Sequence, residues 1–288
     1  MIIIQLKGGM GNQMFQYALY KQLKKMGRDV KIDDVNGFIG DKLRVPVLQN
    51  IGVEYDRATQ EEVIEITDSR MDLLSRIRRK LTGRKTFRID EESGIFEPHI
   101  LEVENAYLVG YWQSDKYFPD VVEELREDFE KRPQEIMQDS VSWTTLQQVE
   151  CCESVSLHVR RTDYIDKEHN HIHNICSETY YKNAIDEVRN KYPNAVFFIF
   201  TDDKEWCKKH FRGPNFFVVD LDEANKTDIA EMTLMSKCKH HIIANSSFSW
   251  WAAWLNDNPG KLVIAPNKWI NNKAMDDIYT DRMTKIAI

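Results

Sequence analysis

The feature that most constrains the fold is a regular alternation of strand-like and helix-like segments in the second half of the chain. Short segments with apolar or alternating patterns predict strands at 155–159, 196–200, 216–219, 241–244 and 262–265. Amphipathic segments between them predict helices near 178–190, 204–211, 228–237 and 248–255. Such alternation is typical of a parallel sheet covered by helices. The run 196–200 is apolar on both faces, as expected of a central parallel strand.

The chain also begins with a strand, a glycine-rich turn and a helix. We expect a strand at 2–6, a tight turn at 8–13, a helix at 14–26 and a second strand at 30–32. Glycines in such a turn let a ligand approach the backbone and the helix N-terminus. A nicotinamide cofactor is the alternative ligand, with Asp33 or Asp34 as the ribose acid. The third glycine of that motif is replaced by Met14, which argues against a dinucleotide site.

The length of 288 residues favours two domains, because single cores stop growing near this size. Residues 59–80 have a helical pattern, 107–111 a strand pattern and 118–129 a helical one. The segment from 133 to 150 is polar and poorly patterned, so we place the boundary there. The predicted domains are 1–150 and 151–288.

Composition narrows the class of protein. A net charge of −7 argues against a protein that coats nucleic acid, which needs a basic face. We find no apolar run of membrane-spanning length and no secretion signal. Five cysteines without a Cys-x-x-Cys pair indicate a reducing compartment, so a cytoplasmic location is expected. The basic stretch 76–80 is interpreted as a solvated helix face; peripheral contact with the inner face of the membrane is the alternative.

Polar side chains follow three of the predicted parallel strands, at 158–163, 201–203 and 245–249, and should therefore meet at one edge of the sheet. Arg160 and Arg161 offer forked donors that match phosphate oxygens, so the pair indicates either a diphosphate site or a solvated arginine pair in a loop. Asp202 and Asp203 could instead hold a divalent metal. Because arginines already supply positive charge, we expect no metal requirement. The serine-rich turn can cap a helix and present backbone N–H groups to a phosphate.

Two further clusters have less specific patterns. His169, His171 and His173 are interpreted as part of an acceptor-facing loop; a shared metal is the alternative, but a fourth ligand at zinc spacing is lacking. The tryptophans at 250, 251 and 254 are predicted to be core anchors, with a sugar-lining role for one of them as the alternative.

Four motifs together resemble the bacterial α-1,2-fucosyltransferases of glycosyltransferase family 11. They span nearly the whole chain, and the first and last are long and specific. The motifs are GGMGNQMFQYA at 8–18, HVRRTDY at 158–164, FTDD at 200–203 and ANSSFSWWAAWL at 244–255. The His-x-Arg-Arg core of the second motif is shared more widely, with α-1,6- and protein O-fucosyltransferases.

The resemblance implies an α/β fold of the GT-B kind, with two Rossmann-type domains. The N-terminal domain would face the acceptor, and the donor site would lie on the C-terminal domain facing the interdomain cleft. The implied reaction is transfer of L-fucose from GDP-fucose to the 2-hydroxyl of a galactose-containing glycan, with inversion and without a metal or other cofactor. The protein would act in surface polysaccharide or oligosaccharide synthesis. A non-catalytic nucleotide-sugar sensor or lectin of the same fold is the alternative.

The resemblance also assigns residues. Arg160 corresponds to the arginine on the donor β-phosphate, and Glu168 is similarly spaced to the base of the α-1,6 relatives, with Asp163 and His171 as rivals. Glu231 occupies a place usually held by an aspartate that meets the guanine. The remaining donor-binding residues implied are Gly9, Gly11, Asn12, His158, Arg161, Asp202, Asp203, Asn245, Ser246, Ser247 and Phe248. The acceptor glycan and the oligomeric state have no legible signal in the sequence.

Overall fold

A computed structural model describes residues 1–130, 140–161, 176–221 and 227–288 of the chain. These residues form two compact units, Met1–Phe129 and Glu130–Ile288. The observed division lies before the predicted boundary at residue 150. The reason is that the segment read as poorly patterned contains a helix, Ser140–Glu150, which packs on helix Asp228–Lys237 of the second unit and buries Val149.

The first unit contains a four-stranded parallel sheet in the order β2-β1-β4-β3. Phe15, Leu19 and Leu23 of its first helix are fully buried, as the helical pattern predicts. The elements are β1 Ile2–Gln5, α1 Met10–Lys25, β2 Val30–Asp33, α2 Gln60–Ile66, α3 Leu73–Thr82, β3 Arg88–Asp90, β4 Ala106–Val109 and α4 Val122–Glu130.

Helix α1 begins at Met10, four residues before the predicted start at Met14. The N–H groups of Asn12 and Gln13 already donate to the Gly9 carbonyl, at 3.0 and 3.1 Å. The side-chain amide of Gln13 also donates, through Nε2, to the Gly8 carbonyl at 2.9 Å. The tight turn is therefore shorter than predicted, and Gly11 belongs to the first turn of the helix.

The segment predicted as one helix over 59–80 forms two helices instead. Asp68, between them, has a φ of 51°, which an α-helix does not allow. Thr67 Oγ1 donates to the Val63 carbonyl at 2.6 Å, and the Asp72 carboxylate caps α3 by accepting from Ser75 N at 2.9 Å. Short polar side chains of this kind satisfy backbone groups locally and favour helix ends over helix interiors.

The second unit contains a six-stranded parallel sheet in the order β10-β9-β8-β5-β6-β7. Phe197, Phe198, Ile199 and Phe200 of β6 are all buried, which confirms the two-sided strand. The elements are α5 Ser140–Glu150, β5 Ser154–Val159, α6 Glu178–Lys191, β6 Val196–Thr201, α7 Lys204–His210, β7 Phe216–Val218, α8 Asp228–Lys237, β8 His240–Ile242, α9 Ser247–Leu255, β9 Val263–Pro266 and β10 Met283–Ile286.

The predicted α/β class is confirmed: the chain forms two Rossmann-type parallel sheets, one in each unit. The sequence pattern missed two edge strands, β3 and β10. Trp250 and Trp251 are fully buried, and Trp250 Nε1 donates to the Ile278 carbonyl at 2.7 Å, so these side chains are core anchors as predicted. Among the described helices, none is both long and apolar enough to cross a bilayer.

Candidate active site

The predicted site lies where the strand order of the second sheet reverses. β5 pairs with β6 on one side and with β8 on the other, and the chain runs out to β7 before it returns to β8. Open α/β sheets bind ligands at the carboxyl ends of strands at such a reversal. Arg160 and Arg161 directly follow β5, and the serine-rich turn lies between β8 and α9.

Asp202 holds the first arginine and the backbone beside it. Its carboxylate lies 3.2 Å from Nε of Arg160 and accepts a hydrogen bond from the backbone N–H of Arg161 at 2.9 Å. One side chain thus orients the Arg160 guanidinium and fixes the course of the chain after β5. The neighbouring strand β6 delivers Asp202, since Val159 and Thr201 are paired in the sheet.

Asp203 and Trp206 hold the second arginine. Nε of Arg161 donates to the Asp203 carboxylate at 3.2 Å, and the guanidinium lies 4.2 Å from the centroid of the Trp206 ring. The other Asp203 oxygen accepts from Trp206 N at 3.0 Å and so caps α7. An ion pair and a cation–π interaction together fix the orientation of the Arg161 guanidinium. Sequence reasoning missed Trp206, although it stands three residues after the aspartate pair.

These contacts change the interpretation of the aspartates. The sequence suggested donor-binding roles for Asp202 and Asp203, or a divalent metal. Their carboxylates contact the two arginines, which gives them a positioning role, and the donor-binding role stays a prediction. A divalent cation beside two guanidinium groups would also be repelled by them. Within the described part of the chain, no three His, Cys, Asp or Glu side chains come together in a geometry that could hold a metal ion.

His158 lies in β5, two residues before Arg160, near the same edge of the sheet. Its side chain is buried, its ring centroid lies 5.8 Å from that of Phe248, and Nδ1 has no hydrogen-bond partner among the described residues. Burial, and then the positive charge of Arg160, lowers the pKa of His158 from 6.5 to about 3. The ring is therefore neutral near pH 7, and it can supply one N–H donor without adding charge.

The serine-rich turn differs in detail from the prediction. Ser246 is the N-cap residue of α9, but its hydroxyl makes no capping bond, whereas the sequence predicted that the serines would cap the helix. Ser246, Ser247 and Phe248 are partly exposed. Asn245 is buried and donates to the Trp269 carbonyl at 3.0 Å, so it ties the turn to the rest of the unit.

Two buried tyrosines of α6 support the strand ends, and sequence reasoning did not single them out. The Tyr181 hydroxyl donates to the His158 carbonyl at 3.2 Å, and the Tyr180 hydroxyl donates to the Ile243 carbonyl at 2.6 Å. The helix thereby links the ends of β5 and β8, on the two sides of the reversal. A tyrosine pair on a helical pattern looks like ordinary core, so the sequence offered little signal.

In the first unit, the strand order reverses between β1 and β4. Asn12 in the first turn of α1 accepts from Gln113 Nε2, which follows β4, at 2.8 Å. Gln16 joins the two strand ends, accepting from Lys7 N at 3.1 Å and donating to the Gly110 carbonyl at 2.8 Å. The predicted glycine turn is thus built into the corresponding crevice of this sheet.

Two glycines of that turn were predicted to bind the donor. A Cβ added at Gly9 would meet no heavy atom within 4 Å, so the space in front of the helix is open there. Gly11 is buried inside the first turn of α1.

The remaining predicted site residues are the guanine-binding candidate and the candidates for the base. Glu231 lies in the first turn of α8 and is partly buried. The base candidates Glu168, Asp163 and His171, with the neighbouring histidines, lie outside the described residues.

Comparisons with known proteins agree with the motifs. The chain is 33% identical over 288 residues to an alpha-1,2-colitosyltransferase of Escherichia coli, covering 96% of this chain and 94% of that protein. It is 32% identical to the O-antigen biosynthesis glycosyltransferase WbnK of Escherichia coli, covering 93% and 95%. A galactoside alpha-(1,2)-fucosyltransferase 1 of Bos taurus is 25% identical, covering 88% of this chain and 65% of that protein.

Solved structures are more distant. A NodZ alpha-1,6-fucosyltransferase crystal soaked with GDP-fucose matches with a TM-score of 0.43 and 14% identity, covering 90% of this chain and 96% of that one. Escherichia coli heptosyltransferase WaaC with ADP matches with a TM-score of 0.42 and 11% identity, covering 99% and 92%. Scores of this size carry no argument about the site.

The family profile gives the decisive match. Glycosyl transferase family 11 matches residues 99–286, which include the arginine pair, the aspartate pair and the serine-rich turn. With this match and two bacterial relatives that are similar over nearly their full length, the chain belongs to glycosyltransferase family 11.

Proposed function

We propose that the protein transfers L-fucose from GDP-fucose to the 2-hydroxyl of a galactose-containing glycan, with inversion at the anomeric carbon. Family membership and the α-1,2 specificity in the names of two relatives support this reaction class. The observation that carries the site is the arginine pair, which Asp202 and Asp203 orient at the carboxyl edge of the second sheet.

The pair fits the charge that develops during the reaction. The acceptor hydroxyl attacks the anomeric carbon, the bond from that carbon to the β-phosphate oxygen breaks, and GDP leaves with one more negative charge. Preorganised cations at the β-phosphate stabilise that charge in the transition state. We assign Arg160 to the β-phosphate, with Arg161 and the neutral His158 as its neighbours. The N–H groups at the start of α9 would face the diphosphate, and Glu231 would meet the guanine.

In this proposal the reaction needs no metal or other cofactor, since the arginines provide the charge that a divalent cation provides elsewhere. The proton of the acceptor hydroxyl passes to a base, for which we propose Glu168, with Asp163 and His171 as rivals. Gly9, Gly11 and Asn12 of the first unit complete the proposed donor-side residues. The acceptor is bound by the first unit and by loops such as residues 166–176.

A colitosyl donor is the second candidate substrate, because a relative at 33% identity is named as a colitosyltransferase. A sensor or lectin that binds the nucleotide sugar without turnover is the alternative from another class. Both share the diphosphate site with the fucosyltransferase. Only the enzyme forms a glycoside, and only the donor preference separates the two transferases.

The test is to incubate the protein with labelled GDP-fucose or GDP-colitose, each with lactose or N-acetyllactosamine, in the presence of EDTA. Mass and linkage analysis should find fucose on the 2-hydroxyl of galactose. A product formed only from the colitosyl donor would correct the donor, and GDP binding without any glycoside would favour the sensor. Activity that EDTA abolishes and manganese restores would contradict the metal-free mechanism.

A further inference from the structure

Helix α3 of the first unit presents an apolar stripe to solvent. Leu73, Leu74, Ile77 and Leu81 are 70%, 79%, 48% and 78% exposed, and no residue of this helix is buried. Spacings of one, four and eight residues put these side chains on one side of an α-helix. A helix that packed on the core would bury that side, so α3 is oriented the opposite way.

Polar contacts explain this orientation. The buried Asp68 pairs with Arg78 and accepts from Lys85 N at 2.8 Å, while Arg79 Nη1 donates to the Asp68 carbonyl at 3.1 Å. Ser75, Arg78 and Arg79 are the only partly covered residues of the helix, so their side is the inner one. A cavity of about 440 Å³ lies beside these contacts and is lined mostly by polar and charged side chains. The inner side therefore has a polar anchor, and the outer side is apolar.

The surrounding charge is strongly one-sided. Residues 70–88 contain eight arginines and lysines and one acidic residue, Asp72, in a chain whose net charge is −7. Around the helix axis, the exposed Arg76 and Lys80 border the apolar stripe on one side. An apolar stripe beside a cationic border is the pattern of helices that lie in the surface of an anionic membrane.

We infer that α3 docks the protein on a bilayer that contains anionic phospholipid, with the leucine stripe at the level of the acyl boundary and the cations on lipid phosphates. An anionic bilayer would contact both the apolar stripe and the cations, and the free energies of apolar burial and of attraction to anionic lipids add together. A second copy of the chain fits less well, because two such helices face to face would bring their cations together. The inference is independent of the donor and acceptor proposed above.

The structure changes the interpretation of the basic stretch 76–80. A charge run on a helix is usually a solvated face, which is the reading that the sequence favoured. The exposed aliphatic side chains beside it add an apolar surface that the sequence alone did not indicate, because a helical pattern does not show which side of the helix packs.

The test is sedimentation of the full-length protein with vesicles of phosphatidylcholine alone or mixed with phosphatidylglycerol. The parent should bind the mixed vesicles and bind them less at high salt, because salt screens exposed charges. Leu74→Gln with Leu81→Gln should weaken binding about tenfold or more, since two of the four apolar side chains of the stripe are lost. Arg76→Gln with Lys80→Gln should weaken it about 25-fold at low salt, at about fivefold for each cation.

The matched control is Ile39→Gln with Leu43→Gln, which changes two aliphatic residues that are 75% and 88% exposed in another segment of the same unit. This control should bind vesicles as the parent does, and circular dichroism should show all variants folded. Equal loss in the control would mean general adsorption and would overturn the inference, as would failure of the parent to bind anionic vesicles. Self-association that the leucine variant abolishes, without vesicle binding, would assign the stripe to a second copy instead.

Discussion

Two buried, neutral histidines should make the second unit sensitive to mild acid. His241 is fully buried between Ser156 Oγ, 2.8 Å from its Nδ1, and Asn256 Nδ2, 2.8 Å from its Nε2. Burial lowers the pKa of His241 well below 6.5, and that of His158 falls to about 3. In mild acid, these two histidines therefore bind protons in the unfolded chain but stay neutral in the folded unit. The stabilisation is complete above the unfolded pKa and is lost as the pH falls from there toward the folded pKa.

The size of the loss follows from these pKa values. Between pH 7 and about pH 5.5, a histidine that titrates near 6.5 only when unfolded removes about 1 kcal/mol from the free energy of unfolding. His158 should contribute a loss of this size, and His241 should add to the loss in the same direction. His241→Gln cannot take up the proton. The variant should be less stable at neutral pH, but it should also lose less stability in acid than the parent does.

Urea unfolding followed by tryptophan fluorescence measures this difference, because six of the seven tryptophans lie in the second unit. The quantity compared is the change in unfolding free energy between the two pH values, for the parent and for each variant. Replacement of the exposed His99 by Gln is the control for loss of any histidine. If His241→Gln kept the full acid loss of the parent, the reasoning from burial would be refuted.

Three further substitutions test other parts of the account. Arg160→Lys should lower kcat/KM by about a hundredfold to a thousandfold and slow donor hydrolysis in parallel, because a point charge cannot replace the forked donor. The control is Arg212→Lys, which makes the same change at an exposed site and should leave both rates as in the parent. Glu168→Gln should slow transfer but leave GDP affinity and donor hydrolysis unchanged, and transfer at the parent rate would move the base to one of its rivals. Gln16→Leu should destabilise the first unit by about 2 kcal/mol, because one buried and one partly buried backbone group lose their partner, and hydrogen exchange of the Ile2–Gln5 amides should become faster.

The strand pattern predicted the second unit well because burial leaves a periodic record in the sequence. β6 is buried on both faces and has a near-continuous apolar run, whereas β5 could be recognised by the alternation of its apolar residues. Since all strands of this sheet run parallel, the polar residues that follow them had to share an edge. The neighbourhood of Arg160 and Asp202 was therefore predictable from topology alone.

The pairing of side chains was not predictable in the same way. Asp202 and Asp203 were predicted to bind the donor, with a metal as the alternative, and the sequence did not show that their carboxylates also orient the arginines. The orientation of α3 was missed as well, because its periodic pattern does not reveal which side packs. The first outcome depends on contacts between elements distant in sequence, such as Arg161 on Trp206. The second depends on the polar contacts of Asp68 with Arg78 and Lys85.

The central claim is that Arg160 binds the β-phosphate of the donor, and a binding cycle tests it most directly. Calorimetry in EDTA would compare GDP with GMP, which lacks the β-phosphate, on the parent and on Arg160→Ala, with Arg212→Ala as the control. The parent and the control should bind GDP more tightly than GMP, and Arg160→Ala should lose about tenfold or more of that preference, since the charge-assisted bond is removed. An unchanged preference for GDP over GMP in Arg160→Ala would contradict the claim.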